Sequence, residues 1–135
     1  MTRLKPFALA AAVLAASPAL ALEPINKEPH INGILLQGFI ADRIADTCPA
    51  MEPRKLRALG ELNKLRDYAL KKGYSAAEVR AFVTSKTEKA RGKREAADWL
   101  KKAGAKDGDV AAHCKVGRDE IARGSLIGYL LRDKG

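Results

Sequence analysis

The most informative segment of the chain is DVAAHCKVGRDEIARGSLIGYLLR, residues 109–132. Its small and apolar residues recur at alternating steps of four and three, the a/d spacing of a packed helical seam: Val110, Cys114, Gly117, Ile121, Gly124, Gly128 and Leu131. Glycine destabilises a helix interior by about 1 kcal/mol relative to alanine. The seam therefore predicts that another backbone approaches closely at Gly117, Gly124 and Gly128. The alternative is a helix that breaks at Gly117.

Cys114 lies on this seam, and the other cysteine of the chain, Cys48, stands 66 residues earlier. An even pair of cysteines in a small exported domain favours a disulfide. A second interpretation is a Cu(I) site, because thiolates, a thioether and an imidazole are soft ligands. Its ligands would be Cys48, Met51, His113 and Cys114.

The N-terminus predicts export. Arg3 and Lys5 form a basic head, residues 7–20 are an apolar run, and Ala19-Leu20-Ala21 is a cleavage site of the signal-peptidase type. The run is shorter than the roughly 20 residues that span a bilayer. We therefore expect cleavage after Ala21 and a periplasmic domain of residues 22–135; an uncleaved anchor is the alternative.

Helix formers dominate the rest, and no segment alternates as a strand does, so the chain is predicted to be all-α. We expect a single-domain bundle of four to six helices, stapled by one disulfide, behind a short extended arm at residues 22–29. The first helix, residues 30–47, is apolar on most sides. Pro53 is expected in the first turn of the second helix.

The apolar face of that second helix is predicted to contain Leu56, Leu59, Leu62 and Leu65. Ser75 and Glu78 form a capping box that begins the third helix, which is expected to break near Gly92. A fourth helix is expected at residues 94–103.

The formal net charge is +9, and the two cations of the signal leave +7 on the mature chain. For an exported protein this favours a protein surface or anionic lipid as partner over nucleic acid. A solvated basic face without a partner is the alternative. The candidate partner-binding residues are Arg54, Lys55, Arg57, Lys64, Trp99, Lys101 and Lys102, with Trp99, Tyr129 and Leu130 as apolar anchors.

No hydrolase, metalloprotease, phosphate-loop, haem-attachment or CxxC motif occurs in the sequence. We therefore expect no enzymatic activity, no cofactor and no small-molecule substrate.

Residues 48–83, CPAMEPRKLRALGELNKLRDYALKKGYSAAEVRAFV, together with residues 109–132 and the signal, resemble a family of small exported helical proteins of alphaproteobacteria. The resemblance includes both cysteines and the seam glycines, and it brings no catalytic residues. It implies an accessory subunit at the periplasmic face of a membrane-bound respiratory complex, NADH:quinone oxidoreductase. A looser resemblance, in size and class, is to small disulfide-bonded periplasmic acid-stress chaperones. An immunity protein is a third possibility.

Overall fold

The structure, a computed structural model, describes Thr2, residues 10–12 and residues 21–135. The predicted export signal lies almost entirely outside the described residues. After a 3-10 turn at Ile25–Lys27, the elements are α1 (Pro29–Thr47), β1 (Met51–Pro53), α2 (Lys55–Lys72), α3 (Ala76–Thr84), α4 (Lys86–Lys102), α5 (Val110–Arg123), α6 (Leu126–Tyr129) and β2 (Leu131–Asp133). The predicted all-α fold is confirmed.

Helix α1 is the central element, since α2, α4, α5 and α6 all pack on it. It ends before Pro49, because proline disfavours helical geometry in the preceding residue. Helix α4 runs through Gly92 without interruption, so the predicted break there is wrong. The ring of Phe39 lies so close to Gly92 that a side chain at this position would overlap it. Gly92 is thus a close-packing position between α1 and α4.

The break comes earlier, at Ser85. The Ser75 hydroxyl accepts from the Glu78 backbone N–H and the Glu78 carboxylate accepts from the Ser75 N–H, so the predicted capping box is confirmed. The Ser85 hydroxyl accepts from the Glu88 N–H in the same way and begins α4. This second cap places α4 at Lys86–Lys102 instead of the predicted 94–103.

The glycine seam divides into two kinds of position. Helix α5 continues through Gly117, where a Cβ would lie 3.0 Å from the side chains of Ile44 and Met51, so this glycine packs against side chains and not against the predicted backbone. At Gly128 a Cβ would collide with the backbone of Glu120 and Ile121, because α6 folds back on α5. A Cβ at Gly124 would meet no atom within 4 Å, and the residue has φ +68°, so it caps α5 in the left-handed conformation. The prediction of a packing role is therefore wrong for Gly124.

A short antiparallel ribbon joins the segment between α1 and α2 to the C-terminal segment, with Met51 opposite Asp133 and Pro53 opposite Leu131. Pro53 therefore belongs to β1, and the prediction that it begins α2 is wrong; α2 begins at Lys55. Each strand is three residues long, too short to show an alternating pattern in the sequence.

The predicted disulfide is present: Cys48 and Cys114 are bonded, with their Cα atoms 5.2 Å apart. It joins the end of α1 to α5 inside the larger of two apolar clusters, which we call the stapled core. The stapled core consists of Ile40, Ala41, Ile44, Cys48, Met51, Ala96, Leu100, Ala105, Cys114, Val116, Ile127, Leu130 and Leu131. A smaller cluster contains Ile31, Leu65, Ala69, Tyr74 and Phe82.

The arm at residues 22–29 is not fully extended, since it contains the 3-10 turn and the first residue of α1. It is fixed to the domain, because the Tyr74 hydroxyl donates to the Glu23 carbonyl at 2.6 Å.

Candidate functional site: an apolar groove beneath α2

Helix α2 is held at both ends. At its C-terminal end the buried Glu28 carboxylate accepts hydrogen bonds from Lys72 Nζ at 2.8 Å and from the Tyr68 hydroxyl at 3.1 Å. The same carboxylate accepts from the Ile31 backbone N–H at 2.6 Å, as the cap of α1. Before its N-terminal end, the Arg54 backbone N–H donates to the Leu130 carbonyl at 2.8 Å and Arg54 Nε donates to the Leu131 carbonyl at 3.2 Å.

The contacts of Glu28 determine its charge. Burial alone would raise the pKa of this carboxyl, but the hydrogen bonds from Lys72, Ile31 and Tyr68 outweigh burial and lower the pKa to about 2. Glu28 is therefore ionised at every ordinary pH. It connects the beginning of α1 to the end of α2.

Between these two attachments Leu56, Leu59 and Leu62 are exposed, while Leu65 is buried. The exposed fraction is 86% for Leu56, 55% for Leu59 and 49% for Leu62, against 7% for Leu65. The predicted common apolar face is therefore wrong. Steps of three residues rotate about 60° per step around a helix, so Leu56 and Leu65 lie on opposite sides.

Beneath the middle of α2 three cavities of about 220, 230 and 350 Å³ adjoin one another, since Leu35 and Leu62 line all three. Half-buried apolar side chains of α1 form the floor, and α2, α3 and α4 form the walls. We call this site the α2 groove and define it by Ile34, Leu35, Phe39, Leu62, Phe82 and Val83. The apolar α1 is thus only partly in the core; its middle turns are the floor of an open site.

Charged residues of both signs border the α2 groove: Asp42, Glu61, Arg66, Lys89, Lys93 and Glu95. Burial and the neighbouring Asp46 raise the pKa of Asp42, while Lys93 lowers it. An apolar floor with a mixed polar rim can bind an apolar side-chain ridge and orient it through charges at the edge.

A family of unknown function, DUF5333, matches residues 23–132. The chain belongs to the DUF5333 family. The matched residues include the whole α2 groove, both cysteines, all of β1 and the first two residues of β2. No curated protein and no solved structure matches the chain.

In this DUF5333 chain the predicted partner-binding residues have different surroundings. Arg54 is half-buried and fixed to the ribbon. The Arg57 guanidinium donates to the Tyr129 carbonyl oxygen at 3.1 Å, and its central carbon lies 4.4 Å from the centroid of the Tyr129 ring. Lys64 Nζ donates to Glu61 at 2.9 Å, while Lys55 is exposed.

The predicted residues at the end of α4 lie apart from these contacts. Trp99 is half-buried against the stapled core, Lys101 lies 3.9 Å from Asp107, and Lys102 is exposed. No hydrogen bond or ion pair of the described residues joins this set to the cations of α2. Of the predicted anchors, Tyr129 is exposed and Leu130 is buried. The α2 groove itself was not predicted.

The disulfide also bears on the Cu(I) interpretation. The sulfur atoms of both cysteines are in the bridge. The proposed ligand set of Cys48, Met51, His113 and Cys114 therefore contains no thiolate unless the bridge is reduced. His113 is buried, with Nδ1 2.6 Å from the Asp109 carbonyl oxygen and no partner at Nε2 among the described residues. No cluster of three or more His, Cys, Asp or Glu side chains suited to a metal occurs in the described part of the chain.

The bridge is consistent with an oxidising, exported compartment. Across the residues that the structure describes, none of the helices combines the length and the apolar character that crossing a membrane requires.

Proposed function

We propose that this protein is a non-enzymatic periplasmic interaction protein, an accessory subunit that binds an apolar helix of a membrane-bound respiratory complex in the α2 groove. The single observation that carries this proposal is the groove, with its three adjoining cavities beneath the middle of α2. A helix ridge of spacing i, i+3, i+4 and i+7 has the shape that such grooves bind.

The position of Leu62 supports the same function. Its side chain is 49% exposed and lines all three cavities. A bound helix would cover Leu62 and the half-buried Leu35 together, and covering apolar surface stabilises the complex. Central apolar residues of this kind contribute most of the affinity at protein interfaces, while charges at the rim adjust rate and specificity.

The experiment is affinity purification of the tagged protein from its own cells in mild detergent. We expect the wild type to retain subunits of a membrane complex, and Leu62→Lys to retain about tenfold less. Ile121→Lys is the matched control, because Ile121 is 36% exposed on α5 and lines none of the three cavities. Equal recovery by both variants, or no partner for the wild type, would reject the proposal.

That the complex is NADH:quinone oxidoreductase is part of the proposal and is supported only by the resemblance of residues 48–83 and 109–132 to the exported family. If the eluate contains subunits of another membrane complex, the α2 groove remains the proposed binding site, but the identification of the complex as NADH:quinone oxidoreductase is rejected.

One observation favours a second candidate, a periplasmic holdase. Leu56, Leu59 and Leu62 are exposed together on one helix, and holdases bind unfolded chains through exposed apolar surface. A holdase would purify without a fixed partner and would suppress aggregation of unrelated proteins in acid. Leu62→Lys would weaken that suppression.

A further inference from the structure

The outward side of α2 adjoins the α2 groove along one edge, where Asn63 and Arg66 also line a cavity. At about 100° per residue, six residues of the helix that point away from the middle of the groove fall within one arc of roughly 100°. We call this arc the α2 flank; its members are Lys55, Leu56, Leu59, Asn63, Arg66 and Leu70. All six are exposed.

The α2 flank has one sign of charge. It contains Lys55 and Arg66 and no carboxylate. Asp67 borders it, with its carboxylate 3.6 Å from Arg66. Residues 54–72 together have seven basic and two acidic side chains, so the field around the flank is positive.

We propose that the α2 flank docks this protein on an anionic lipid bilayer. Leucines that project outward between cations are the composition of helices that lie in the membrane interface, with the apolar side chains among the acyl chains and the cations at the headgroups. Leu56, at 86% exposure, projects from the surface and needs no preformed pocket. A deformable bilayer receives such a side chain without one.

Charge argues against a second copy of the chain as the occupant. Two copies that met flank to flank would bring Lys55 and Arg66 of each against the same cations of the other, with no flank carboxylate to pair them. Anionic headgroups supply the missing charge.

The inference goes beyond the proposed function, since it concerns lipid and a different side of α2. The experiment is co-sedimentation of the protein, as isolated from cells, with protein-free vesicles of phosphatidylglycerol or of phosphatidylcholine. We expect sedimentation with the anionic vesicles only, and less of it as salt rises, because salt screens surface charge.

Two pairs of variants locate the surface. Leu56→Ser/Leu59→Ser should bind anionic vesicles about tenfold less than wild type, and Val110→Ser/Ile121→Ser, also exposed but on α5, should bind as wild type does. Lys55→Glu/Arg66→Glu should bind less than Lys106→Glu/Arg118→Glu, which makes the same change of charge elsewhere. Thermal melts of all variants verify the fold.

Any one of three results would overturn the inference: the wild type does not co-sediment with phosphatidylglycerol vesicles, Leu56→Ser/Leu59→Ser binds them as the wild type does, or the two charge variants lose vesicle binding to the same extent. Loss of the membrane complex by Leu56→Ser/Leu59→Ser in detergent, without any vesicle binding by wild type, would assign the flank to a protein instead. Because the vesicles contain no protein, failure here leaves the helix-binding test of Leu62 intact.

Discussion

The stapled core and the α2 groove contain similar apolar residues but differ in how far these residues are buried. In the stapled core, Ile44 of α1 and Leu100 of α4 are fully buried, and the disulfide joins the end of α1 to α5. In α2, three of the leucines project into solvent or over an open groove. A small domain can thus be stabilised mainly by one closed core while part of its apolar surface stays exposed.

Removal of the disulfide should test the first half of this comparison most strongly. Closing a loop of 66 residues contributes about 4 kcal/mol in the chain-entropy model, so Cys48→Ser should lower the free energy of unfolding by about that amount. Urea denaturation of wild type and variant measures the difference. Cys114 should then form intermolecular disulfides, visible on non-reducing gels. If the variant has the same urea midpoint as the wild type, the stability of the stapled core does not depend on the disulfide.

The second test compares two leucines of one helix. Leu65→Ala removes a side chain buried in the smaller cluster and should destabilise the domain by about 2–3 kcal/mol. Leu56→Ala should change stability by less than about 0.5 kcal/mol, because Leu56 loses almost no contact. Chemical denaturation of both variants measures the contrast, and similar losses would mean that α2 is packed along its whole length.

The third test concerns glycine. Gly128→Ala places a Cβ against the backbone of Glu120 and should cost roughly 1–3 kcal/mol by overpacking. Gly60→Ala, inside α2 with nothing within 4 Å, should instead stabilise by about 0.5–1 kcal/mol, since alanine restricts the unfolded chain and favours helix. Thermal melts should move in opposite directions. If both substitutions raise the melting temperature, α6 does not pack on α5 as described.

The last test concerns the attachment of α2. Glu28→Gln removes the charge that holds Lys72 and should cost on the order of 1.5 kcal/mol at neutral pH. The folded pKa, about 2, lies below the ordinary value of 4.5, so the contribution of Glu28 is present above pH 4.5 and is lost as the pH falls towards 2. Denaturation curves of wild type and variant should therefore converge across that interval. A constant difference down to pH 2 would contradict the role given to the Glu28 carboxylate.

Much of the fold was predictable from local signals. The Ser75–Glu78 capping box, Gly73 after α2 and Pro49 after α1 act within a few residues of themselves, and the structure places a helix end at each. The even cysteine count predicted the bridge. Gly128 and Gly117 were identified as packing positions, but Gly124 was not separable from them, because a capping glycine and a packing glycine look alike in a heptad pattern.

The α2 groove was harder to predict. The one relevant pattern in the sequence is the spacing of Leu56, Leu59, Leu62 and Leu65. Residues three positions apart differ by about 60° around a helix, so these four leucines cannot all face one core. That signal predicts exposed leucines; it does not place them over α1. Glu28, a single acidic residue before a proline, gave no sign of the buried network that it forms with Tyr68 and Lys72.

The helical class, the ends of α1 and α2, the start of α3, the cysteine pair and the basic charge could be predicted, because each depends on residue type or on neighbours a few positions away. The burial of individual leucines, the pairing of the ribbon and the groove between α1 and α2 became visible only in the tertiary structure. These features depend on distances between residues far apart in the chain, such as Glu28 and Lys72 or Pro53 and Leu131, and no local pattern encodes such distances.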